Sequence, residues 1–163
     1  MEKHIDFYPE DKEAMYALLA KQLKALTEGE SNPIPNLANA SSLIFYALKD
    51  INWAGFYLLE DKTLVLGPFQ GKTACIRIPL GRGVCGTAAV QDEIQLIADV
   101  HAFPGHIACD SASNAEIVLP IHQNGQVIGV LDIDSPVYNR FDETDKAGLQ
   151  TLVMILENTC RFI

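Results

Sequence analysis

The dipeptide Asn124-Gly125 lies between two apolar, β-rich runs and constrains the fold more than any other local feature of the chain. The flanking runs span residues 116–122 and 126–134 and are rich in Ile, Val and Leu. Asn and Gly both tolerate the positive φ angles that a two-residue type I′ turn requires at its central positions. The sequence therefore predicts an antiparallel β-hairpin.

The first half of the chain changes from a helical to a strand-like spacing of apolar residues. Residues 10–27 repeat apolar side chains at helical intervals, and a second helix is expected over 36–49, after two prolines. From residue 51 the pattern becomes short β-rich runs at 51–59, 64–69 and 73–78, separated by turn residues. We expect these runs to form an antiparallel meander.

The second half combines a long loop with a well-marked final helix. The glycine-rich segment Gly81–Gly86 is expected to be a loop leading into a short helix at 87–90. Residues 99–114 form a long loop, which in a compact domain is usually either functional or disordered. Asp142 and Asp145 have the spacing of a helix start, so a C-terminal helix closes the chain.

These elements predict one α+β domain over residues 1–163. N-terminal helices within 1–50 would pack on a central antiparallel β-sheet, and 51–163 would supply that sheet, the long active-site loop and the C-terminal helix. A chain of this length and apolar content is sufficient for a single hydrophobic core.

Charge and hydropathy exclude several classes of partner. The net charge is −9 and no segment is rich in Lys or Arg, so nucleic acid is not expected to bind. No apolar run is long enough to span a bilayer, and the first residues lack the apolar stretch of a signal peptide. We therefore expect a cytoplasmic protein whose four cysteines are normally reduced.

Cys109 is the first candidate for chemistry, because it lies in the long loop among polar residues and two histidines. An accessible, partly ionised thiol is one interpretation, and a small buried apolar residue is the other. His101, His106 and Cys109 could also contribute to a zinc site, but no fourth ligand or CxxC pair accompanies them. No bound metal or cofactor is expected.

Two carboxylates alternate along the predicted second hairpin strand. Asp132 and Asp134 project from one face of that strand, and Glu116, near the start of the partner strand, is positioned to join them. Like charges so close together would raise at least one pKa and keep a carboxyl protonated near neutral pH. The alternative is that Asp134 begins a turn and Asp132 caps a neighbouring backbone group.

Trp53 and Tyr57 share one face of the first predicted strand, with Gly55 between them. They would either wall a pocket for a methylated or cationic group or serve as ordinary core aromatics. Cys85, within the glycine-rich segment, is expected to be mobile enough for disulfide exchange, and Cys75, assigned to the preceding strand, is its rival. Cys160, in the last helix, is expected to be a structural thiol.

Three segments carry a resemblance to a known family: 79–89 (PLGRGVCGTAA), 99–113 (DVHAFPGHIACDSAS) and 129–136 (GVLDIDSP). Together they closely resemble free methionine-(R)-sulfoxide reductases, from about Trp53 into the C-terminal helix. The resemblance implies a GAF fold. One departure is Ala115, where many relatives have Ser, so that a hydroxyl near the pocket entrance, and with it some affinity, would be lost.

The resemblance also implies the roles of the site residues. Cys109 matches the catalytic cysteine, and Cys85 or Cys75 matches the partner with which it forms a disulfide. The matching pocket positions complete the catalytic and substrate-binding set: Trp53, Tyr57, Glu116, Asp132 and Asp134.

The mechanism expected from this set is a thiol-dependent reduction. A protonated carboxyl would activate the sulfoxide, Cys109 would become a sulfenic acid, and the resulting disulfide would be reduced by thioredoxin or a similar dithiol, a function tied to oxidative stress. A homodimer formed by the N-terminal helices is a further expectation. The alternative function is a non-catalytic GAF module that senses a small ligand.

Overall fold

The computed structural model describes residues 7–163, so the first six residues of the predicted N-terminal region lie outside the described residues. In chain order the elements are α1 Lys12–Thr27, α2 Pro33–Ala47, β1 Trp53–Glu60, β2 Thr63–Gly71, β3 Arg77–Pro79, α3 Gly83–Gln91, β4 Gln95–Ile97, a 3₁₀ turn Val100–Ala102, β5 Ala115–Gln123, β6 Gln126–Ser135 and α4 Glu143–Thr159.

One six-stranded antiparallel sheet forms the centre of the fold, in the order β3-β2-β1-β6-β5-β4. Buried side chains of α1, α2 and α4 form the larger core with one face of this sheet. A second, smaller core lies on the other face and includes residues of α3. The predicted α+β architecture, with the N- and C-terminal helices covering a central sheet, is confirmed.

The predicted hairpin is present as β5 and β6, and its turn has the expected geometry. Asn124 and Gly125 have φ angles of 54° and 76°, and Gln123 pairs with Gln126 across the turn. Because both central residues adopt positive φ, the turn twist matches the twist of the strands. The hairpin supplies two of the four inner strands of the sheet.

The second helix starts three residues earlier than predicted. It begins at Pro33, after Asn32, whose side chain accepts a hydrogen bond from the backbone N–H of Ile34. Proline is tolerated in the first helical turn, where the missing N–H has no intrahelical acceptor, so the two prolines open this helix instead of preceding it. Ser41 also fits, since its hydroxyl donates to the carbonyl of Leu37 at 2.8 Å.

Two predictions around the glycine-rich segment are wrong. Helix α3 begins at Gly83, so Cys85 lies in its first turn, 4% exposed, and is not part of a mobile loop. The glycines permit close packing here: a Cβ on Gly86 would lie 2.7 Å from the carbonyl oxygen of Pro79. Cys75 is also not in a strand, because β3 covers only Arg77–Pro79.

Helix α4 starts where the two aspartates predicted it. Asp142 and Asp145 form a reciprocal capping box at the helix N-terminus. Asp145 is fully buried and also accepts from Lys12 at 2.7 Å, from Tyr16 at 2.8 Å and from Arg140 at 3.3 Å. This one carboxylate therefore joins α4 to α1 and to the segment before α4.

No helix within residues 7–163 combines the length and the apolar character needed to cross a bilayer.

We predict that Asp145→Ala lowers the free energy of unfolding by about 3–5 kcal/mol, because it leaves Arg140 and Tyr16 without their buried partner. Urea unfolding measures the change. Glu143→Ala is the matched control in the same helical turn, since that side chain is 86% exposed, and its effect should stay within about 0.5 kcal/mol. Equal, small losses in the two variants would contradict the role given to Asp145.

Candidate active site

Strand alternation divides β6 between two environments. Leu131 and Ile133 point into the larger core formed with the helices. Asp132 and Asp134 point to the opposite face and line a pocket there. The face-sharing prediction for the two carboxylates is therefore confirmed, and their interpretation as a turn and a cap is wrong because both lie within the strand.

The register of the sheet brings residues from three strands together around these carboxylates. Glu116 on β5 and Trp53 on β1 both pair with Asp134. Gly55 on β1 pairs with Asp132. Cross-strand partners point to the same face of a sheet, so positions far apart in the sequence line one pocket.

The aromatic side chains form a stacked wall beside the carboxylates. The ring of Trp53 lies 5.3 Å from that of Phe69 and 5.9 Å from that of Tyr57, and both pairs are stacked. Its indole nitrogen donates to the carbonyl of Lys72 at 3.1 Å. Only glycine fits at Gly55, since a Cβ there would lie 2.3 Å from the Cβ of Phe69.

Cys85, in the first turn of α3, lies beside the acidic cluster formed by Glu116, Asp132 and Asp134. Its Sγ lies 3.9 Å from Oε1 of Glu116. Donor atoms of Cys85, Glu116 and Asp132 all lie within 4.8 Å of one another, a spacing that one divalent cation could bridge. Oδ1 of Asp132 is buried and has no hydrogen-bond partner among the described residues. The cluster therefore needs a proton, or a ligand that carries a positive charge or a donor.

Burial controls the protonation of this cluster. Desolvation raises the pKa of Asp132 to about 6. The pKa values of Glu116 and Asp134 lie well above the usual range, first because of desolvation and then because of the negative charge of Asp132. The same desolvation raises the pKa of the Cys85 thiol, which stays protonated. At neutral pH the pocket consequently retains protons on groups that would be ionised in water.

A disulfide joins Cys75 to Cys109 at the edge of this pocket. Cys75 precedes β3, is half-buried, and its carbonyl accepts a hydrogen bond from the hydroxyl of Tyr57 at 2.9 Å. Cys109 is exposed in the long loop, so its interpretation as a buried apolar residue is wrong. Cys85 remains a free, buried thiol. Of the two rivals, Cys75 is the residue that pairs with Cys109 in this structure.

Asn52 fastens the end of the long loop to the start of β1. Its side-chain amide donates to Oδ2 of Asp110 at 3.2 Å and to the hydroxyl of Ser113 at 3.1 Å. Asp110 directly follows Cys109, so this contact restricts the backbone beside that cysteine. Neither Asn52 nor Ser113 was identified from the sequence, because the contact joins residues about sixty positions apart.

Several other sequence-based expectations are not met by the geometry. His101 bonds to Asp99 through its ring nitrogen at 2.9 Å, and Cys109 is in the disulfide, so the proposed zinc ligands do not assemble. Ala115 is fully buried in the larger core and does not lie at the pocket entrance, because it alternates with Glu116 along β5. The expectation of a structural thiol at Cys160, by contrast, is met, because Cys160 is buried in that core with its Sγ 3.6 Å from the amide nitrogen of Asn36.

His106 joins the pocket in a position that the sequence did not indicate. Its Nε2 lies 3.7 Å from Oε2 of Glu116, too far for a hydrogen bond. Desolvation lowers the pKa of His106, so the ring is neutral at pH 7. The loop therefore supplies a neutral imidazole above the protonated carboxyl cluster.

The pocket enclosed by these groups is small. Its cavity volume is about 40 Å³, whereas an engineered apolar cavity that binds benzene has a volume of about 150 Å³. Its lining combines the aromatic wall, the acidic cluster and the loop: Trp53, Tyr57, Thr73, Ala74, Ile78, Arg82, Gly83, Val84, Cys85, His106, Ile107, Cys109, Asp110, Ser113, Glu116, Asp132 and Asp134.

The chain is similar to a known protein family and to proteins of known activity. The GAF domain family model matches residues 36–158. The free methionine-R-sulfoxide reductase of Escherichia coli (strain K12) is 60% identical over 147 residues, which cover 90% of this chain and 89% of the relative.

Two solved structures are similar over almost their whole length. The fRMsr of Staphylococcus aureus in complex with substrate has a TM-score of 0.85 at 52% identity, covering 88% of this chain and 94% of that one. The free methionine-R-sulfoxide reductase of Neisseria meningitidis, in complex with its substrate, has a TM-score of 0.90 at 42% identity. The match covers 97% of this chain and 95% of that one.

We predict that the oxidised protein, unfolded in denaturant, has two thiols that react with Ellman's reagent, Cys85 and Cys160. Cys85→Ser should have one, because the Cys75–Cys109 disulfide survives. Cys75→Ser should have three, since Cys109 loses its partner. The reverse pattern, with three reactive thiols in Cys85→Ser and one in Cys75→Ser, would mean that oxidation joins Cys85 to Cys109.

Proposed function

Since the chain belongs to the GAF-domain family of free methionine-R-sulfoxide reductases, we propose that it is an oxidoreductase that reduces free L-methionine-(R)-sulfoxide to methionine. The observation that carries the proposal is the Cys75–Cys109 disulfide at the edge of a pocket lined by Trp53, by the buried carboxyl groups of Glu116 and Asp132, and by the half-buried Asp134. A redox-active cysteine pair and a site for a small cationic, methylated molecule thus share one cavity.

The acidic cluster is suited to both polar ends of the substrate. A carboxylate of Glu116, Asp132 or Asp134 binds the substrate ammonium, which neutralises charge that the fold buries at a cost. A protonated member of the same set donates to the sulfoxide oxygen, since desolvation raises its pKa. Trp53 packs against the methyl group and Tyr57 supports that ring.

The chemical step follows from the position of Cys109. Its thiolate attacks the sulfoxide sulfur, the oxygen and one proton pass to the cysteine, and methionine leaves. Cys109 is then a sulfenic acid, the reversible first stage of cysteine oxidation. The thiolate of Cys75 attacks this sulfur and releases hydroxide, which takes up a proton as water, so that the disulfide seen in the structure is the product of turnover. Cys85 serves in the pocket wall, where its protonated thiol contacts Glu116.

Return to the reduced state needs two electrons from outside the protein. We propose an external dithiol of the thioredoxin class and no bound cofactor. The pocket is narrow, with a cavity volume of about 40 Å³, and in this proposal it widens for substrate when the disulfide opens. Cytoplasmic location, a role in oxidative stress and a homodimer through the N-terminal helices stay predictions.

We predict methionine formation from the R epimer of free methionine sulfoxide and not from the S epimer, with dithiothreitol in excess. Cys109→Ser should abolish turnover because it removes the nucleophile, while Cys160→Ser, in the larger core, should retain it. Chromatographic assay of methionine measures both. If neither epimer were reduced, the reductase proposal would fail, and a ligand-sensing GAF module would become the better explanation.

We predict that Glu116→Gln lowers kcat/KM by roughly 10²–10⁴-fold, since an amide cannot transfer a proton to the sulfoxide oxygen. Glu157→Gln is the matched control, because Glu157 contacts His122 away from the pocket, and it should keep native kcat/KM. Steady-state kinetics with the R epimer measures both variants. Full activity of Glu116→Gln would exclude this carboxyl as the proton donor.

A further inference from the structure

The two cysteines of the disulfide are not equally exposed. Cys109 is exposed, whereas Cys75 is half-buried and its carbonyl oxygen accepts a hydrogen bond from the hydroxyl of Tyr57. A thiolate can begin disulfide exchange only at a sulfur that it can reach, and the other sulfur then leaves as a thiolate. Access therefore favours attack at Cys109.

The residues directly beside the two disulfide cysteines are apolar, and the charged residues Arg77 and Asp110 follow them in the chain. We define the disulfide patch as residues 74–76 (Ala-Cys-Ile) and 107–109 (Ile-Ala-Cys), all of them apolar. Ile76 is 70% exposed and Ala108 is also exposed. The chain as a whole carries a net charge of −9, so the patch differs from its general surface. Single exposed apolar side chains are common on protein surfaces, so Ile76 carries weight here because it adjoins the disulfide that an external thiol must reach.

We propose that a protein dithiol docks its own apolar surface on the disulfide patch and attacks Sγ of Cys109. The proposal rests on the proposed function only in requiring an external reductant. The reductant's thiolate forms a mixed disulfide with Cys109 and Cys75 leaves as a thiolate. The second thiol of the reductant then loses its proton and attacks the first reductant sulfur, so the reductant becomes a disulfide and Cys109 is released as a thiolate.

This assignment selects one class of reductant. A small anionic thiol such as glutathione gains nothing from an apolar patch and is repelled by the net charge of the protein. A protein whose nucleophilic cysteine is surrounded by apolar, uncharged residues gains burial of Ile76. Specificity for a protein reductant over glutathione follows from that contact.

The first test traps the mixed disulfide. Oxidised protein is mixed with thioredoxin whose second active-site cysteine is replaced by serine, free thiols are alkylated, and cysteines are assigned by mass spectrometry. Cys75 should be alkylated together with Cys85 and Cys160, and Cys109 should carry thioredoxin. Thioredoxin found on Cys75 instead would overturn the assigned point of attack.

The second test measures the rate at which thioredoxin reduces the disulfide of oxidised protein, with dithiothreitol as the small-molecule reference. Ile76→Asp and Ile76→Lys should each slow reduction by thioredoxin roughly tenfold, because either charge is buried at the contact, and leave the dithiothreitol rate unchanged. Met154→Asp is the control: that residue is 59% exposed on α4, the helix that packs on the opposite face of the sheet.

The outcomes separate the two proposals. Unchanged thioredoxin rates in both Ile76 variants, or faster reduction of Ile76→Lys alone, would overturn the apolar contact. Equal losses with dithiothreitol would overturn it too, since they place the effect on the disulfide and not on docking. Neither result depends on turnover of methionine sulfoxide, which the dithiothreitol assay of the native chain tests separately.

Discussion

The fold depends on the two-residue alternation of the β5–β6 hairpin, whose register is set by the Asn124-Gly125 turn together with a shift in pairing between His122 and Ile121. One face of this hairpin packs on the helices with residues such as Ile117, Leu131 and Ile133. The other face carries Glu116, Asp132 and Asp134 into the pocket. A slip of one residue would bury the carboxylates against the helices and expose the apolar set. The hydrophobic core and the active site are therefore specified by the same register.

Burying the carboxyl groups of the acidic cluster costs free energy, and a positively charged ligand would offset part of that cost. Desolvation raises the pKa values of the three carboxyl groups, and Oδ1 of Asp132 has no hydrogen-bond partner within residues 7–163. A buried carboxylate without a cation is unfavourable, so the groups hold protons until a positively charged ligand arrives. The stacked aromatic rings form an apolar wall beside the carboxyl groups, and the absence of a side chain at Gly55 leaves space for Trp53 and Phe69. Selectivity for a small ammonium-bearing, methylated molecule is consistent with both halves of the pocket.

The cysteines differ in their surroundings according to the structural elements in which they lie. Cys109 is exposed in the long loop, where it is bonded to Cys75, and the proposed mechanism requires it to meet substrate and an external thiol as well. Cys85 is fixed in α3 and its thiol stays protonated, which suits a pocket wall better than exchange. Cys160 lies in the core with the helices. In the proposed mechanism the reacting sulfur therefore lies on the loop beside the pocket and not on an element of the sheet.

The sequence alone determined the structural features that depend on only a few adjacent residues. The type I′ turn, the capping box of α4 and the shared face of Asp132 and Asp134 all follow from spacing, because backbone geometry fixes those relations over short distances. Close similarity of three segments to a known family supplied the candidate activity and the set of cysteines. The start of α3 was missed because glycines that permit tight packing resemble those of a loop.

Only the tertiary structure decided which distant residues meet. It paired Cys75 with Cys109, placed Cys85 beside Glu116, brought His106 over the cluster and fastened the loop through Asn52. It also turned Ala115 into the core, where the resemblance had suggested a pocket position. Such contacts join positions tens of residues apart and depend on sheet register and helix packing, quantities that are set by the whole core and not by local spacing.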